Sequence, residues 1–392
     1  MSSTLAVRVN PPSGNEVSAR FSVGKKSFTV RTSANVSLAS GATPWLAPGL
    51  LAAMRQNAAL DIDGPLDSVA LTGAEEVQRI MSDWYPAQMH ATAILQQETT
   101  NETLAGGRGV GCFFSGGVDS FYSTVKHIDE ITHLIFIHGF DIPLDNEDLA
   151  ERTLRTLRKA AEDLGKPLIE VRTNLRQVHA LLGLDWESHS HGSLLAHVAL
   201  LLTDHIGKLY LPSNRIEGEL EPYATHPDLD KHWGSRGLEI EHDGNEANRP
   251  MKVAAFADSE PAMNNLRVCW WNKDNDYNCG HCEKCIRTMM NIKIAGAEGK
   301  CATLPADIPY DVYNRMYINK PGKHGAVENL KAMDDFGYRD AEMERALRDA
   351  IDRPTWQNQI FHARQLAGLA PQFAGRLSLE NGHRAAVTKV DG

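Results

Sequence analysis

Hydrophobic and polar positions follow two different rhythms along this chain. Residues 19–37 alternate: Phe21 and Val23 precede a Gly24-Lys25-Lys26 turn, and Phe28, Val30 and Thr32 follow it. A period of two marks half-buried strands, so a hairpin and a small sheet are predicted there. Residues 45–60 and 73–85 switch to helical spacing, with Val77, Ile80, Met81 and Trp84 on one stripe. Residues 1–97 therefore read as an accessory α+β domain, and the polar, glycine-bearing stretch 99–108 as a linker. Beyond it, strand and helix patterns alternate. Strands are predicted at 110–114, 134–137, 168–171 and 208–211, and helices at 118–128, 147–164 (closed by Gly165 and Pro167) and 193–206. Such alternation predicts an α/β domain over 98–300, an open parallel sheet with helices on both faces. Ligands of open sheets bind beyond the carboxyl ends of the strands, so the loops after Phe114, Ile137, Val171 and Leu211 are expected to face one site. Residues 301–392 read as a helical C-terminal extension, with the clearest helix at 340–351 and a frayed tail after Asn381. There is no internal repeat.

Composition narrows the partners. A length of 392 residues suits about two or three domains. Fifty acidic against 40 basic residues give a formal charge of -10, and the pI is near 5.9. A negative surface repels polyanions, which argues against nucleic acid and toward a small-molecule substrate. The most apolar stretch, 194–202, is broken by His197 and falls far short of the roughly 20 residues a membrane span needs. Residues 1–12 lack the apolar core of a secretory signal. No membrane partner and a cytoplasmic location are expected. Assembly is left open, with a homodimer as one outcome.

Between the strand at 110–114 and the helix at 118–128 lies Ser115-Gly116-Gly117-Val118-Asp119-Ser120. Two glycines let the backbone turn tightly against a ligand, and the following helix points its free N–H groups at the same place. Two hydroxyls add donors, and Asp119 can hold Mg²⁺ or order the loop. The segment is an anion cradle, set against the plainer reading of a glycine-rich turn. It is not a Walker loop, because no Gly-Lys pair is followed by Ser or Thr. Nor is it a dinucleotide fingerprint, since Gly107, Gly109 and Gly111 precede or open the strand.

Residues 115–120 resemble the signature of the PP-loop ATP pyrophosphatases. The resemblance implies that Ser115, Gly116, Gly117, Val118, Asp119 and Ser120 hold the pyrophosphate portion of ATP while a substrate oxygen attacks the α-phosphate. It also implies that the backbone at His138, Gly139 and Phe140 lies along adenine. Ser115, Asp119 and Ser120 become the expected catalytic residues, with ATP and Mg²⁺ as cofactors. His138 otherwise reads as an ordinary strand-end histidine.

Six cysteines are too few for a disulfide scaffold in a chain of this length, and four crowd together at Cys269, Cys279, Cys282 and Cys285. Two successive C-x-x-C steps, with a fourth thiol nearby, suit tetrahedral Zn²⁺ in a structural role. An iron–sulfur cluster, a redox pair, or His281 in place of one sulfur are the alternatives. A zinc element of this spacing after a PP-loop sheet is similar to that of the 7-cyano-7-deazaguanine synthases. Those enzymes activate a deazapurine carboxylate with ATP and convert it with ammonia, through an amide, to a nitrile. Arg287 falls near the family's trailing arginine, and residues 223–228 loosely echo its Tyr-Pro-Asp substrate loop. The resemblance spans about residues 109–295. The family's Arg-Asn pair is replaced around His189-Ser190-His191-Gly192-Ser193, and the substrate loop is expanded. A different acceptor is therefore expected.

The residues expected to bind that acceptor are His191 at a helix start, Ser213, Asn214 and Glu217 after the last strand, and Asp228 in the loop with His226, Asp230, His232 and Trp233. The competing readings are a helix capped by Ser190 or Ser193 with two solvated histidines, an ordinary turn, and a capped surface turn. Arg152, Arg155 and Lys159 read as a solvated helix face. Cys112, three residues before Ser115, reads as a core thiol; resemblance to the sulfur-transferring branch of the PP-loop superfamily implies instead that Cys112 or Cys301 carries persulfide sulfur. The leading expectation is ATP-dependent adenylation of a carbonyl or carboxylate oxygen on a purine-like molecule, followed by displacement of AMP by ammonia. Sulfur transfer from a sulfur donor is the alternative. A transfer-RNA sulfurtransferase and a nucleotide-sensing regulator rank lower.

Overall fold

Strand β5 (Gly109–Phe113) sends Phe113 to one side of the sheet and Cys112 to the other. Its neighbour β6 (His133–His138) does the same with Ile135 and Ile137 against Leu134 and Phe136. Strands apolar on both sides need cover on both, which is the parallel-sheet condition. The computed structural model describes residues 3–96, 98–100, 108–218, 220–272 and 275–364. Most of the expected linker (101–107) and the tail after Asn381 lie outside the described residues. Beside β5 and β6 run β7 (Leu168–Thr173), β8 (Ile206–Pro212) and β9 (Glu239–Asp243), all parallel.

The first 97 residues do not form the small separate sheet predicted for them. Strands β1 (Ser3–Val9), β2 (Glu16–Val23), β3 (Lys26–Ala34) and β4 (Ala58–Ile62) join the others in one nine-stranded sheet of order β9-β8-β5-β6-β7-β3-β2-β1-β4. The junction is an antiparallel pairing of β3 with β7 at Thr32–Thr173, Ser33–Arg172 and Ala34–Val171. The predicted hairpin turns at Gly24 (φ 59°). The sheet is mostly parallel, and the architecture is α/β.

Helices α1 (Thr43–Gln56) and α6 (His191–Leu201) pack on one side, with α2 (Ser68–Trp84) and α5 (Leu175–Leu181) flanking, in a single core that runs from Leu5 to Ile240. Two buried histidines stitch this layer. His197 bonds Pro44 O (2.8 Å) and Thr32 Oγ1 (3.0 Å), and His179 bonds Pro48 O and Ser190 Oγ (3.1 Å each). The opposite layer holds α3 (Val118–Lys126), α4 (Glu147–Asp163), α7 (Arg249–Phe256) and α8 (Glu260–Asn265). Helix α9 (Glu283–Ile294) divides its buried face between this core and a third one, shared with α10 (Lys320–Asp335) and α11 (Ala341–Asp352). Arg152, Arg155 and Lys159 lie exposed on α4, a solvated face as expected. Among the described residues no helix is long and apolar enough to cross a membrane.

The chain steps from β5 to β6 on one side and later returns to lay β8 on the other. The order therefore reverses at β5, and the space beyond the carboxyl ends of β5 and β8 is the crevice position at which open sheets bind ligands.

Candidate active site and metal centre

Residues 115–120 cross that crevice. Gly116 takes φ 76°, and a Cβ there would stand 2.7 Å from Leu157 Cδ2, so only glycine fits. Gly117 caps α3 in extended conformation without a side-chain cap, so helix geometry leaves the first-turn N–H groups without intrahelical partners. Ser120 is buried, and its Oγ donates to Gly117 O (3.1 Å). That hydroxyl shapes the turn instead of pointing outward.

Asp119 meets Arg249 Nη2 at 2.9 Å and Lys252 Nζ at 3.0 Å. Lys252 is fully buried and also donates to Ser213 O (2.5 Å). Burial opposes the Asp119 charge, but Arg249 and Lys252 outweigh it and hold the carboxyl below its usual range. Each carboxylate oxygen already faces a cation. Through these two ion pairs Asp119 orders the loop.

The second wall follows β6. His138 accepts from Arg172 Nη1 at Nδ1 (2.9 Å) and donates from Nε2 to Pro143 O (3.1 Å). Burial lowers its pKa. With both nitrogens spent, its ring braces the loop. Gly139 (φ 110°) passes so close to β7 that a Cβ would lie 1.9 Å from Thr173 O. Phe140 meets Trp186 edge to face (centroids 5.2 Å apart). Trp186 carries the Arg176 guanidinium on its face at 4.1 Å and the His191 ring at 4.6 Å. Arg176 also donates to Phe140 O. Desolvation lowers the Arg176 pKa against the fields of Asp141, Asp185 and Glu187. Burial pushes His191 down to about 4, so the ring is neutral, and its buried Nδ1 has no hydrogen-bond partner among the described residues. Asp141 lies within electrostatic reach of Arg176, His191 and Tyr223. The wall is thus aromatic, with one cation stacked on it and one carboxylate within electrostatic reach.

Other predicted residues fall differently. His189 is buried, its Nδ1 accepting from Asp185 N (3.1 Å), so the solvated-histidine reading is overturned. Neither serine caps α6. Ser190 turns to His179, and Ser193 donates to Ser190 O (2.8 Å) after a π-turn at Trp186–Ser190. Ser213 is buried, with its hydroxyl closed on Arg215 N and O. Asn214 is exposed beside Tyr223. Glu217 is exposed and bonds Asn245 O only through its backbone (2.6 Å). The Asp228 side chain is 69% exposed, 3.7 Å from Lys231 and from His226. The buried carboxylate of that loop is Asp230, bonded to His242 Nδ1 at 2.7 Å. Cys112 is wholly buried under Thr124, and desolvation raises its thiol to about 12, so it is a core thiol and not a catalytic one. Cys301 is buried beside Thr303.

The four clustered cysteines converge. Their sulfurs all lie within 4.8 Å of one another, with Cys269–Cys282 and Cys279–Cys285 both at 3.9 Å. A tetrahedral zinc–thiolate centre with bonds of about 2.3 Å needs sulfurs about 3.8 Å apart. Backbone N–H groups of Asn272, Cys282 and Cys285 point at Cys269, Cys279 and Cys282 Sγ (3.1, 3.3 and 3.5 Å). Asn278 braces the first ligand through Oδ1, accepting from Val268 N and Cys269 N. This cluster can hold a metal such as zinc.

Comparison with family models, curated proteins and solved structures found no match. Arg249, Lys252, Arg176, Trp186 and Asp141 carry no signal of their role in the sequence. The first two lie 130 and 133 residues from Asp119, and only the fold brings them together.

Proposed function

We propose that the crevice adenylates a small planar carboxylate or carbonyl compound with ATP and passes it to ammonia. The observation that carries this reading is the six-residue loop at the sheet's switch point, seated on a helix N-terminus and tied by Asp119 to Arg249 and Lys252. Loop N–H groups of 115–120 cradle the β- and γ-phosphates, and the Gly139 backbone lies along the base. The acceptor's ring rests against Trp186 and Phe140. Its oxygen attacks the α-phosphorus, the bond to the bridging oxygen breaks, and pyrophosphate leaves. Fixed donors stabilise the departing charge without having to reorient, which is the strongest assistance such a site can give. Ammonia then attacks the acyl carbon, the bond to AMP breaks and a proton is released. An amide results, and a second cycle on the amide oxygen would give the nitrile. The four sulfurs hold zinc as a structural ion, outside the reaction.

Nitrogen is favoured over sulfur by the state of the thiols. Outside the four-sulfur cluster, the described cysteines are Cys112 and Cys301, both buried.

A pyrophosphate-release screen across purines, deazapurine acids and amino acids, with ammonia or sulfide supplied in turn, tests the reading. Release with one carboxylate class is expected, and Ser115→Ala should slow it about a hundredfold without changing metal content. No release with any acceptor would sink the proposal.

A further inference from the structure

We propose that the cysteine cluster is coupled to the phosphate loop, so that metal and polyphosphate bind cooperatively, with Lys284 as the cation the metal presents to phosphate. The inference rests on the reading of residues 115–120 as a polyphosphate cradle. Two ligand segments touch that loop, and the third sets a cation within electrostatic reach of its Asp119. Two residues before Cys269, the Arg267 backbone N–H donates to Gly116 O (2.7 Å), and its carbonyl lies 3.6 Å from where a Gly117 Cβ would stand. The Arg267 side chain is itself buried, with Nε lacking a hydrogen-bond partner among the described residues. Two residues before Cys279, Tyr277 Oη lies 3.5 Å from the Cβ position of Gly116 and donates to Asn265 O (2.7 Å). Between Cys282 and Cys285, in the first turn of α9, stands Lys284.

Lys284 is half-buried and makes no side-chain hydrogen bond or ion pair with a described residue. Its charge reaches Asp119 in the loop and Asp141 on the facing wall, and Arg249 is its near neighbour. A partly desolvated cation beside a second one is a poor arrangement until an anion arrives. Four sulfurs on one ion fix the segments carrying Arg267, Tyr277 and Lys284 relative to one another. Loss of the ion frees them, and the cradle loses its backing at Gly116 together with its cation. Coupling of this kind is reciprocal: whatever factor the metal adds to polyphosphate affinity, polyphosphate adds to metal affinity.

The test measures inorganic pyrophosphate binding by calorimetry on the full chain as zinc-loaded wild type, as chelator-stripped wild type and as zinc-loaded Lys284→Met. Zinc content and far-ultraviolet circular dichroism are recorded on each. Lys284→Met should retain its zinc and its spectrum yet bind pyrophosphate about tenfold more weakly, and stripping should weaken it at least as much. Pyrophosphate should slow zinc loss to chelator. If stripping unfolds the chain, Lys284→Met and the zinc-loss rate decide alone. Equal pyrophosphate affinity in wild type and Lys284→Met, or a zinc-loss rate indifferent to pyrophosphate, overturns the coupling while leaving the phosphate loop standing. No pyrophosphate binding by the loaded wild type overturns the cradle reading itself.

Discussion

Asp119 shows what a single residue discloses through the sequence and what it does not. Its place in the loop is legible because the chemistry occupies consecutive positions 115–120. Its partners are not, because Lys252 and Arg249 sit on an undistinguished short helix with no motif around them. Likewise, the four-cysteine cluster is legible from spacing, whereas Arg176 on Trp186 depends on how two separate segments meet. Asp228 and Asp230 are equivalent in sequence, and only burial separates them. The buried pair of Asp119 and Lys252 gives a residue-scale prediction. Lys252→Met leaves Asp119 with half its counter-charge and Ser213 O without its donor, and should cost about 3 kcal/mol. A lowered urea midpoint with unchanged zinc content is the expected result. An unchanged midpoint would mean that Arg249 alone carries the carboxylate.

At the level of elements, the strands β5 to β8 and helices α3 and α4 are legible because each carries one clean period. Failures come where the period is continuous through a break. The apolar run 45–60 conceals Asn57, whose left-handed backbone (φ 48°) ends α1 and starts β4. The π-turn at Trp186–Ser190 has no periodic signature at all. The layer formed by α1, α5 and α6 also makes a prediction about acid. Burial pushes His179 down to about 3, and His191 and His197 to about 4, all below the unfolded value of about 6.5. The unfolded chain therefore takes up protons that the folded one refuses. This part of the stability is whole above about pH 6.5 and drains as pH falls toward 4 for His191 and His197 and toward 3 for His179, each histidine costing about 1.4 kcal/mol per pH unit. Denaturant midpoints should fall across that window. A flat profile would show that these rings are protonated in the folded protein.

For the whole molecule, alternation makes the α/β class legible, but not the union of the N-terminal strands with the parallel sheet. That union depends on a three-residue pairing between β3 and β7, distant in sequence and ordinary in composition. Net charge also gains resolution. The chain carries -10 overall, yet Arg249, Lys252 and Lys284 gather around Asp119 in the loop 115–120. A local positive spot in a negative molecule suits a small anionic ligand better than a polyanion. Whether that spot serves α-phosphate chemistry is the central claim, and the products of ATP decide it. Phosphorus NMR of a turnover with ATP, ammonium and the best acceptor from the screen should show AMP and pyrophosphate appearing in equal amounts, and neither without the acceptor. ADP and orthophosphate in their place would contradict it.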